Sequence, residues 1–219
     1  GAEAVKLNTG RKGGDLEAED AIVTWCVGHL VTMSYPEAYD EKYKRWSLDT
    51  LPFLPETFRY EVIPNVEKQF RIVSTILNRP DVEVIYVCTD SGREGEYIYR
   101  LVEQMAGVKG KKRKRVWIDS QTEEEILRGI REAKDLEEYD NLSASAYLRA
   151  KEDYLMGINF SRLLTLKYGG SISSYLNTKY TVLSVGRVMT CVLGMVVRRE
   201  REIRDFVKTP FYRVLSNVQ

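Results

Sequence analysis

Three acidic side chains lie close together in the stretch TDSGREGEYIYRLV, residues 89–102. Asp90 follows a run of β-branched and aromatic residues that is typical of a strand, whereas Glu94 and Glu96 open a run with apolar residues at helical spacing. Carboxylates repel one another, so this grouping requires either a solvent-exposed turn or a cation. Magnesium takes hard oxygen ligands and often needs only one or two protein carboxylates. Asp90, Glu94 and Glu96 are therefore candidate magnesium ligands.

The same turn carries two glycines and an arginine. Gly92 and Gly95 would let the backbone approach a phosphate, and Arg93 could neutralise charge as a phosphoryl group reacts. A simpler interpretation also accounts for the acids, because carboxylates in a first helical turn are stabilised by the helix dipole by about 0.3–1 kcal/mol each. From the residue types alone, both interpretations stay open.

The elements around this turn alternate between helix and strand. Apolar spacing predicts a helix over 66–79, a strand over 81–89, a helix from Glu94, a strand over 113–120 and a helix over 122–133. This order predicts a parallel sheet covered by helices. The acidic turn then falls at the carboxyl end of a strand, which is where ligands bind in open parallel sheets.

Segments outside this core have weaker patterns. Residues 1–20 are polar and predict a loop, 21–31 predict a buried strand, and 47–58, with two prolines, predict an extended connection. Thr122 is the expected N-cap of its helix, with Glu125 at the capping-box position.

The pattern changes after Asp140 and becomes mostly helical. A helix is predicted over 142–169, a Gly/Ser/Asn-rich loop over 170–184, and a long amphipathic helix over 186–206. The last helix is expected to turn its apolar positions inward, namely Val188, Val192, Met195 and Val196. Residues 207–219 resemble the first strand of a further domain that the chain leaves unfinished.

Bulk composition restricts the classes of partner and compartment. The formal net charge is +1, with 33 Lys and Arg against 32 Asp and Glu, so a charged partner must be recognised by a local patch. Cys26, Cys88 and Cys191 lie far apart in apolar surroundings, which predicts buried reduced thiols and no disulfide framework or zinc site. With no apolar run of membrane-spanning length and no leader, we expect a soluble cytoplasmic protein.

Two basic stretches and one histidine are further candidates for function. The run KGKKRKR, residues 109–115, holds six basic residues, so Lys112 and Arg113 are candidate phosphate contacts, although a solvated loop explains the run equally well. Basic residues over 198–205 alternate with acids and indicate a solvated helix face. His29 lies in an apolar segment, which favours a hydrogen-bonded core histidine, while a supporting role near the site stays open.

The acidic stretch resembles the acidic motif of the Toprim domain in type IA DNA topoisomerases, and it is most similar to the bacterial topoisomerase III branch. Other stretches resemble the same family in the family's order: residues 23–31, 39–58, 111–126, 139–165 and 183–206. The resemblance implies an α/β, Toprim-like parallel sheet covered by helices over 1–140, without the family's first strand. It also implies a mostly α-helical, DNA-groove subdomain over 141–207 and the start of a truncated domain over 208–219.

The resemblance also implies an activity. Such enzymes cut one DNA strand with a tyrosine, hold a 5′-phosphotyrosine link, pass another strand and religate, with Mg²⁺ on Toprim acids and no nucleotide cofactor. It assigns catalysis to Glu94, Asp90 and Arg93. Single-stranded DNA is the implied partner of a monomer, contacted by Arg187, Arg149, Arg162 and Ser184. Arg149 at i, i+4 from Asp153 also fits a simple helix-face pair, and Arg162 a surface arginine.

Three departures from the family pattern affect this interpretation. Gly92 replaces the second aspartate of Asp-x-Asp-x-Glu, which removes one oxygen donor, and some relatives of the topoisomerase III branch share this glycine. A Glu-Lys-Pro-Ser-like first strand is not in the chain, and none of its 14 tyrosines has the Tyr-Pro-Arg-Thr-like setting of the nucleophile. We therefore expect a fragment that binds DNA without cleaving it alone. A non-catalytic Toprim module and another Toprim enzyme, a primase or nuclease, are the alternatives.

Overall fold

The computed structural model describes residues 10–217, with side chains described from Gly13 onward. The strands are β1 (Gly10–Lys12), β2 (Asp15–Glu17), β3 (Ile22–Thr24), β4 (Val31–Met33), β5 (Tyr60–Val62), β6 (Val84–Val87), β7 (Lys112–Arg115) and β8 (Lys134–Asp135). The helices are α1 (Glu67–Leu77), α2 (Arg93–Ala106), α3 (Glu123–Arg131), α4 (Asp140–Leu176) and α5 (Arg187–Arg204). Short 3-10 helices lie at Pro36–Ala38, Glu41–Tyr43, Leu48–Thr50, Pro64–Val66 and Leu136–Tyr139.

The chain divides into two compact units, Gly1–Glu152 and Asp153–Gln219. The first unit holds every strand described above and helices α1 to α3, and the second is helical. The predicted fold class, an α/β part followed by a mostly helical part, is confirmed. The domain limits predicted from the sequence remain predictions.

The sheet beside the acidic turn has the order β6-β7-β8. β6 and β7 are parallel, with Val87 opposite Arg115, and β8 runs antiparallel to β7. The sheet is therefore mixed, since only its β6–β7 pair follows the predicted parallel arrangement. Strands β1 to β3 form a separate antiparallel sheet, and β4 and β5 form an antiparallel pair.

The core of the first unit joins β6 to α1 and α2. Side chains alternate along β6, so Ile85 and Val87 are buried while Tyr86 is exposed. Helix α2 buries Leu101 and Val102 against this face. The same cluster is completed by Leu30, Val31, Val73, Leu77, Tyr97, Tyr99, Leu136 and Ala146. The helical spacing that predicted α1 and α2 is thus the spacing of the residues that fill the core.

The start of α3 confirms the predicted N-cap. Thr122 Oγ1 accepts a hydrogen bond from the Glu125 backbone N–H at 3.4 Å. The Glu125 carboxylate accepts from the Asp119 backbone N–H at 3.2 Å and pairs with Arg128. The carboxylate therefore links the chain ahead of α3 to Arg128, one turn further along the helix.

Three predictions for the first unit are wrong. The predicted strand over 21–31 is two strands, β3 and β4, separated by a segment in which Gly28 has a φ of +93°. The predicted loop over 1–20 contains the hairpin of β1 and β2, while residues 1–9 lie outside the described residues. Cys88 is exposed because it continues the outward-facing side of β6, and Cys26 is only partly buried. The thiols of both are free.

The second unit also differs from the structure predicted from its sequence. Residues 170–176, predicted as loop, belong to α4, and the connection to α5 covers only 177–186. That connection packs back on α4, because the Leu183 N–H donates to Thr165 Oγ1 at 2.9 Å and the Val185 N–H donates to Ser161 Oγ at 2.8 Å. Within residues 170–176 themselves, Ser173 is buried and its carbonyl accepts from the Thr178 N–H at 2.9 Å, which offsets the weak helix propensity of the Gly/Ser segment.

The last part of the second unit departs further from the predictions. The α5 positions expected to face inward, Val188, Val192, Met195 and Val196, are all at least half exposed. Cys191 is exposed as well, against the expected buried thiol. Residues 205–217 form no strand, and 218–219 lie outside the described residues. No helix within residues 10–217 has both the length and the apolar character needed to cross a bilayer.

Candidate metal and nucleic-acid site

The acidic turn, residues 89–96, lies between the carboxyl end of β6 and the first turn of α2. A Cβ added to Gly95 would lie 2.0 Å from the Asp90 carbonyl oxygen, so only glycine lets the helix approach the turn this closely. The Thr89 hydroxyl donates to the Gly95 carbonyl at 2.7 Å, and the Gly92 N–H donates to the Asp90 carbonyl at 2.9 Å. Backbone contacts of this kind fix the turn without using the acidic side chains.

The acidic side chains of the turn fall into two environments. Asp90 and Arg93 are exposed, and the Glu94 side chain is 72% exposed. Glu96, two residues after Glu94 in α2, is fully buried. The turn therefore presents Asp90 and Glu94 to solvent and directs Glu96 into the unit.

Two arginines engage both oxygens of the buried Glu96. Arg100 Nε donates to Oε1 at 2.8 Å, and Arg115 Nε donates to Oε2 at 2.9 Å. A metal could use these oxygens only if both arginines released them, at a high cost for buried charges. The geometry favours a structural role for Glu96 over the predicted metal role.

Within residues 10–217, no three His, Cys, Asp or Glu side chains are grouped so as to hold a metal ion. The donors that fit a cation at the turn are the two exposed carboxylates, Asp90 and Glu94. Hard oxygen donors in this number suit magnesium, which commonly completes its shell with waters and phosphate oxygens.

His29 lies beside the acidic turn, in the segment between β3 and β4. Its Nε2 is 2.5 Å from Glu94 Oε1, and its ring meets the edge of the Tyr97 ring with centroids 5.9 Å apart. The imidazole is 35% exposed. The expectation of a histidine held in the core is therefore wrong, because its hydrogen bond joins it to a surface carboxylate of the candidate site.

The basic run at 109–115 is mostly engaged within the first unit. Lys111 Nζ donates to the carbonyls of Arg79 and Val82 at 2.5 and 2.6 Å, and Lys114 pairs with Asp135 at 2.8 Å. Lys112 is exposed. This distribution differs from the evenly solvated loop that the composition suggested.

Arg113, predicted to contact phosphate, is tied to two carboxylates. Its Nη1 is 3.1 Å from Glu103 Oε1, and its Nη2 pairs with Glu137. Burial acts to lower the pKa of Arg113, but hydrogen bonds to these two carboxylates raise the pKa above its usual value. Lys112 is the better placed of the two candidates for contact with DNA.

Arg115 is the residue near the turn whose role the sequence did not indicate. It belongs to the basic run, but its side chain is fully buried and it contacts Glu96 and the backbone of the acidic turn. The sequence of β7, Lys-Arg-Lys-Arg, has no alternation of apolar and polar residues that would indicate this burial. The register opposite the buried Val87 is needed to show that Arg115 points inward.

Arg187, one of the residues predicted to contact DNA, forms an ion pair within the second unit. Arg187, in the first position of α5, donates from Nε to Asp153 Oδ1 at 2.8 Å and from Nη2 to Asp153 Oδ2 at 3.2 Å. Ser184 is exposed, three residues ahead of Arg187, whereas Arg162 is only 5% exposed. Arg149 is exposed and lies in the first unit.

Comparison with known proteins shows what the chain is similar to. The family profile described as DNA topoisomerase matches residues 137–219. The chain is 40% identical over 213 residues to DNA topoisomerase 3 of Bacillus subtilis, which covers 97% of the chain and 28% of that relative. It is 41% identical over 209 residues to DNA topoisomerase 3 of Shouchella clausii, covering 95% of the chain and 27% of the relative.

The chain thus spans little more than a quarter of the length of these relatives. It is a relative of the bacterial DNA topoisomerase III enzymes, and the resemblance to type IA topoisomerases predicted from its motifs is confirmed.

Proposed function

We propose that this chain is part of a type IA DNA topoisomerase. In the complete enzyme it serves to cut and religate one DNA strand through a 5′-phosphotyrosine, and so relaxes or decatenates DNA. The observation that carries this proposal is the acidic turn, which presents Asp90 and Glu94 to solvent at the carboxyl end of a parallel strand. Identity of 40% to DNA topoisomerase 3 over 97% of the chain supports it.

Asp90 and Glu94 are the residues that would hold Mg²⁺. Both offer exposed carboxylate oxygens, which leaves room for the waters and phosphate oxygens of a magnesium shell. The ion, when bound, supplies positive charge that stabilises the phosphoryl group during transfer. Gly92, in place of an aspartate, adds no donor to this set.

Two further side chains, His29 and Arg93, act at the turn. His29 holds the Glu94 carboxylate through the 2.5 Å contact and so limits the positions that carboxylate can take. Arg93 is exposed at the first position of α2, and we assign to it the neutralisation of a phosphate oxygen. Catalysis in the complete enzyme is therefore assigned to Asp90, Glu94 and Arg93.

Single-stranded DNA is the proposed partner. We assign contacts to the exposed residues Lys112, Arg149 and Ser184 and to Arg187, whose side chain is 36% exposed and lies at a helix N-terminus, where phosphate is favoured. Burial of Arg162 and the carboxylate pairs of Arg113 favour packing roles for those two. The protein acts as a monomer in the cytoplasm and uses no nucleotide cofactor.

The chain alone is expected to bind DNA without covalent attachment. The test is fluorescence anisotropy of labelled single-stranded and duplex oligonucleotides over a salt series, followed by denaturing gels that detect covalent adducts. We expect tighter binding of the single strand, with affinity falling linearly on a log–log plot against salt. Equal binding of both forms, or no binding, would contradict the proposal. The complete enzyme, tested in parallel, is expected to form the adduct that the chain does not.

A further inference from the structure

Arg115 lies at the end of β7, opposite the last residue of β6, and its guanidinium is directed at the acidic turn. Its Nη1 donates to the carbonyls of Val87 and Thr89 at 3.0 and 2.7 Å, and its Nη2 donates to the Asp90 carbonyl at 2.6 Å. A further bond reaches the Val116 carbonyl at 3.1 Å. The side chain thus holds the peptide groups on both sides of the Asp90 Cα.

The charge of Arg115 is balanced from the first turn of α2. Arg115 Nε donates to Glu96 Oε2 at 2.9 Å, and both side chains are fully buried. Glu96 lies two residues after Glu94 on the same helical turn. One guanidinium therefore fixes the backbone that carries Asp90 and, through Glu96, the helical turn that carries Glu94.

The network continues away from the turn through Arg100. Arg100 Nε donates to the Glu96 carboxylate that Arg115 also binds. Arg100 Nη2 donates to the Leu136 carbonyl at 2.8 Å and pairs with Asp140 at 2.9 Å. Arg100 is 15% exposed at its side chain, so the chain of charges runs from the buried Arg115 to the surface. Such a network has fixed geometry, because each buried charge requires its partner.

We infer that Arg115 is a positioning residue, which, through Glu96 and the carbonyls of the turn, sets the spacing of Asp90 and Glu94 for a divalent cation and DNA phosphate. This inference rests on the proposed function for its ligand. A planar guanidinium with five donors supplies this set of contacts, whereas a lysine ammonium at the same place has three donors on a single nitrogen. Arg115→Lys therefore keeps the charge and loses the geometry.

The first measurement is hydrogen exchange of the backbone amides in the 219-residue chain, compared between wild type and Arg115→Lys. We expect exchange of residues 89–97 to rise by at least about tenfold in the variant, since hydrogen bonds to a charged group are lost at that segment. Val73→Ala is the matched control, because it removes a buried side chain of α1, outside residues 89–97, and lowers stability. Its exchange should rise across the core, with no excess at 89–97.

The second measurement is Mn²⁺ binding followed by electron paramagnetic resonance, with Mn²⁺ alone as the probe. We expect the affinity of Arg115→Lys to fall about tenfold, as is usual when a residue that orients metal ligands is changed. Val73→Ala should bind Mn²⁺ with the wild-type affinity, even where it lowers the melting temperature as much as Arg115→Lys does. If Arg115→Lys does not fold, Glu96→Gln replaces it, because the amide keeps the shape and loses the charge.

The outcomes separate the positioning role from the proposed function. Failure of the wild-type chain to bind Mn²⁺ would count against the metal site, while the exchange data would still decide whether Arg115 holds the turn. If Arg115→Lys folds and the amides of residues 89–97 exchange at the wild-type rate, the inference is overturned. The same conclusion follows if Arg115→Lys matches Val73→Ala both in its exchange pattern and in its Mn²⁺ affinity.

Discussion

The imidazole of His29 and the carboxylate of Glu94 meet at 2.5 Å, although the two residues are 65 positions apart in the chain. This contact joins the segment ahead of β4 to the first turn of α2. Glu96, two residues later, is held instead by Arg100 and by the fully buried Arg115. The two glutamates of one helical turn are fixed by unrelated parts of the fold, and only Glu94 is left open to solvent.

Replacement of His29 by alanine is expected to lower the free energy of unfolding by no more than about 1 kcal/mol, because the pair is solvent-exposed. The imidazole is 35% exposed and the Glu94 side chain is 72% exposed. Urea unfolding measures the change. His29→Gln, which keeps a hydrogen-bond donor, should lose less. A loss of several kcal/mol for the alanine variant would show that His29 supports the core after all.

Asp90→Ala combined with Glu94→Ala should abolish magnesium-dependent religation in the complete enzyme, because the exposed oxygen donors of the turn are lost. Single-strand binding by the chain should persist, since the assigned DNA contacts at Lys112, Arg149, Ser184 and Arg187 are unchanged. Religation of a pre-cleaved oligonucleotide at varied Mg²⁺ measures the effect. Glu123→Ala with Glu124→Ala is the control, since these acids are also exposed in a first helical turn. An unchanged metal requirement in the Asp90/Glu94 variant would contradict the assignment.

Sequence patterns were sufficient for the elements of the first unit that contain strong periodicity. The apolar spacing of α1 and α2 and the Thr122 cap of α3 are local signals, and the structure confirms them. The place of the acidic turn between β6 and α2 followed from the change of period from strand to helix. That much of the candidate site could be predicted, because all of it lies within a few residues of sequence.

The different environments of Glu94 and Glu96 could not be predicted in the same way. Whether Glu94 or Glu96 faces inward depends on Arg115, 19 residues after Glu96 and on a neighbouring strand. Six basic residues in seven indicate a solvated loop, yet strand register places Arg115 in the core and pairs Lys114 with Asp135. Likewise, residues 170–176 have weak helix propensity, yet α4 runs through them, with Ser173 buried and its carbonyl bonded to the Thr178 N–H of the following connection.

Lys112 and Arg113 are expected to differ in their effects although they are adjacent. Lys112→Ala should reduce the salt slope of single-strand binding by up to about 0.7, the value for one phosphate contact. Arg113→Ala should leave the slope unchanged and lower the free energy of unfolding by about 2 kcal/mol, because it breaks hydrogen bonds to charged partners, one of them the nearly buried Glu103. Anisotropy and urea unfolding measure the two effects. A reduced slope for Arg113→Ala would restore it as a DNA contact.

Tyr147 should make stability fall at alkaline pH. Burial, with a smaller effect of Tyr60, raises the pKa of the Tyr147 hydroxyl from 10.0 to about 12. Below pH 10 its contribution is fully present, and it is lost as the pH rises towards 12, because the unfolded state gives up this proton first. Tyr147→Phe should therefore show a flatter decline of the urea midpoint between pH 10 and 12. Tyr175→Phe, at a residue 89% exposed, is the control. Identical declines in wild type and Tyr147→Phe would contradict the expectation.

Arg187→Ala is expected to weaken single-strand binding and to reduce the salt slope by about 0.7, one phosphate contact. Arg187 is held by Asp153 through two hydrogen bonds, so its guanidinium is oriented before DNA arrives. Asp153→Asn should tighten binding, since it removes a competing negative charge. Arg199→Ala is the matched control, because Arg199 pairs with Glu202 on the same helix. Anisotropy over a salt series measures all three variants. Equal slopes for wild type, Arg187→Ala and Arg199→Ala would exclude Arg187 as a DNA contact, and its bond to Asp153 would then serve only to join α5 to α4.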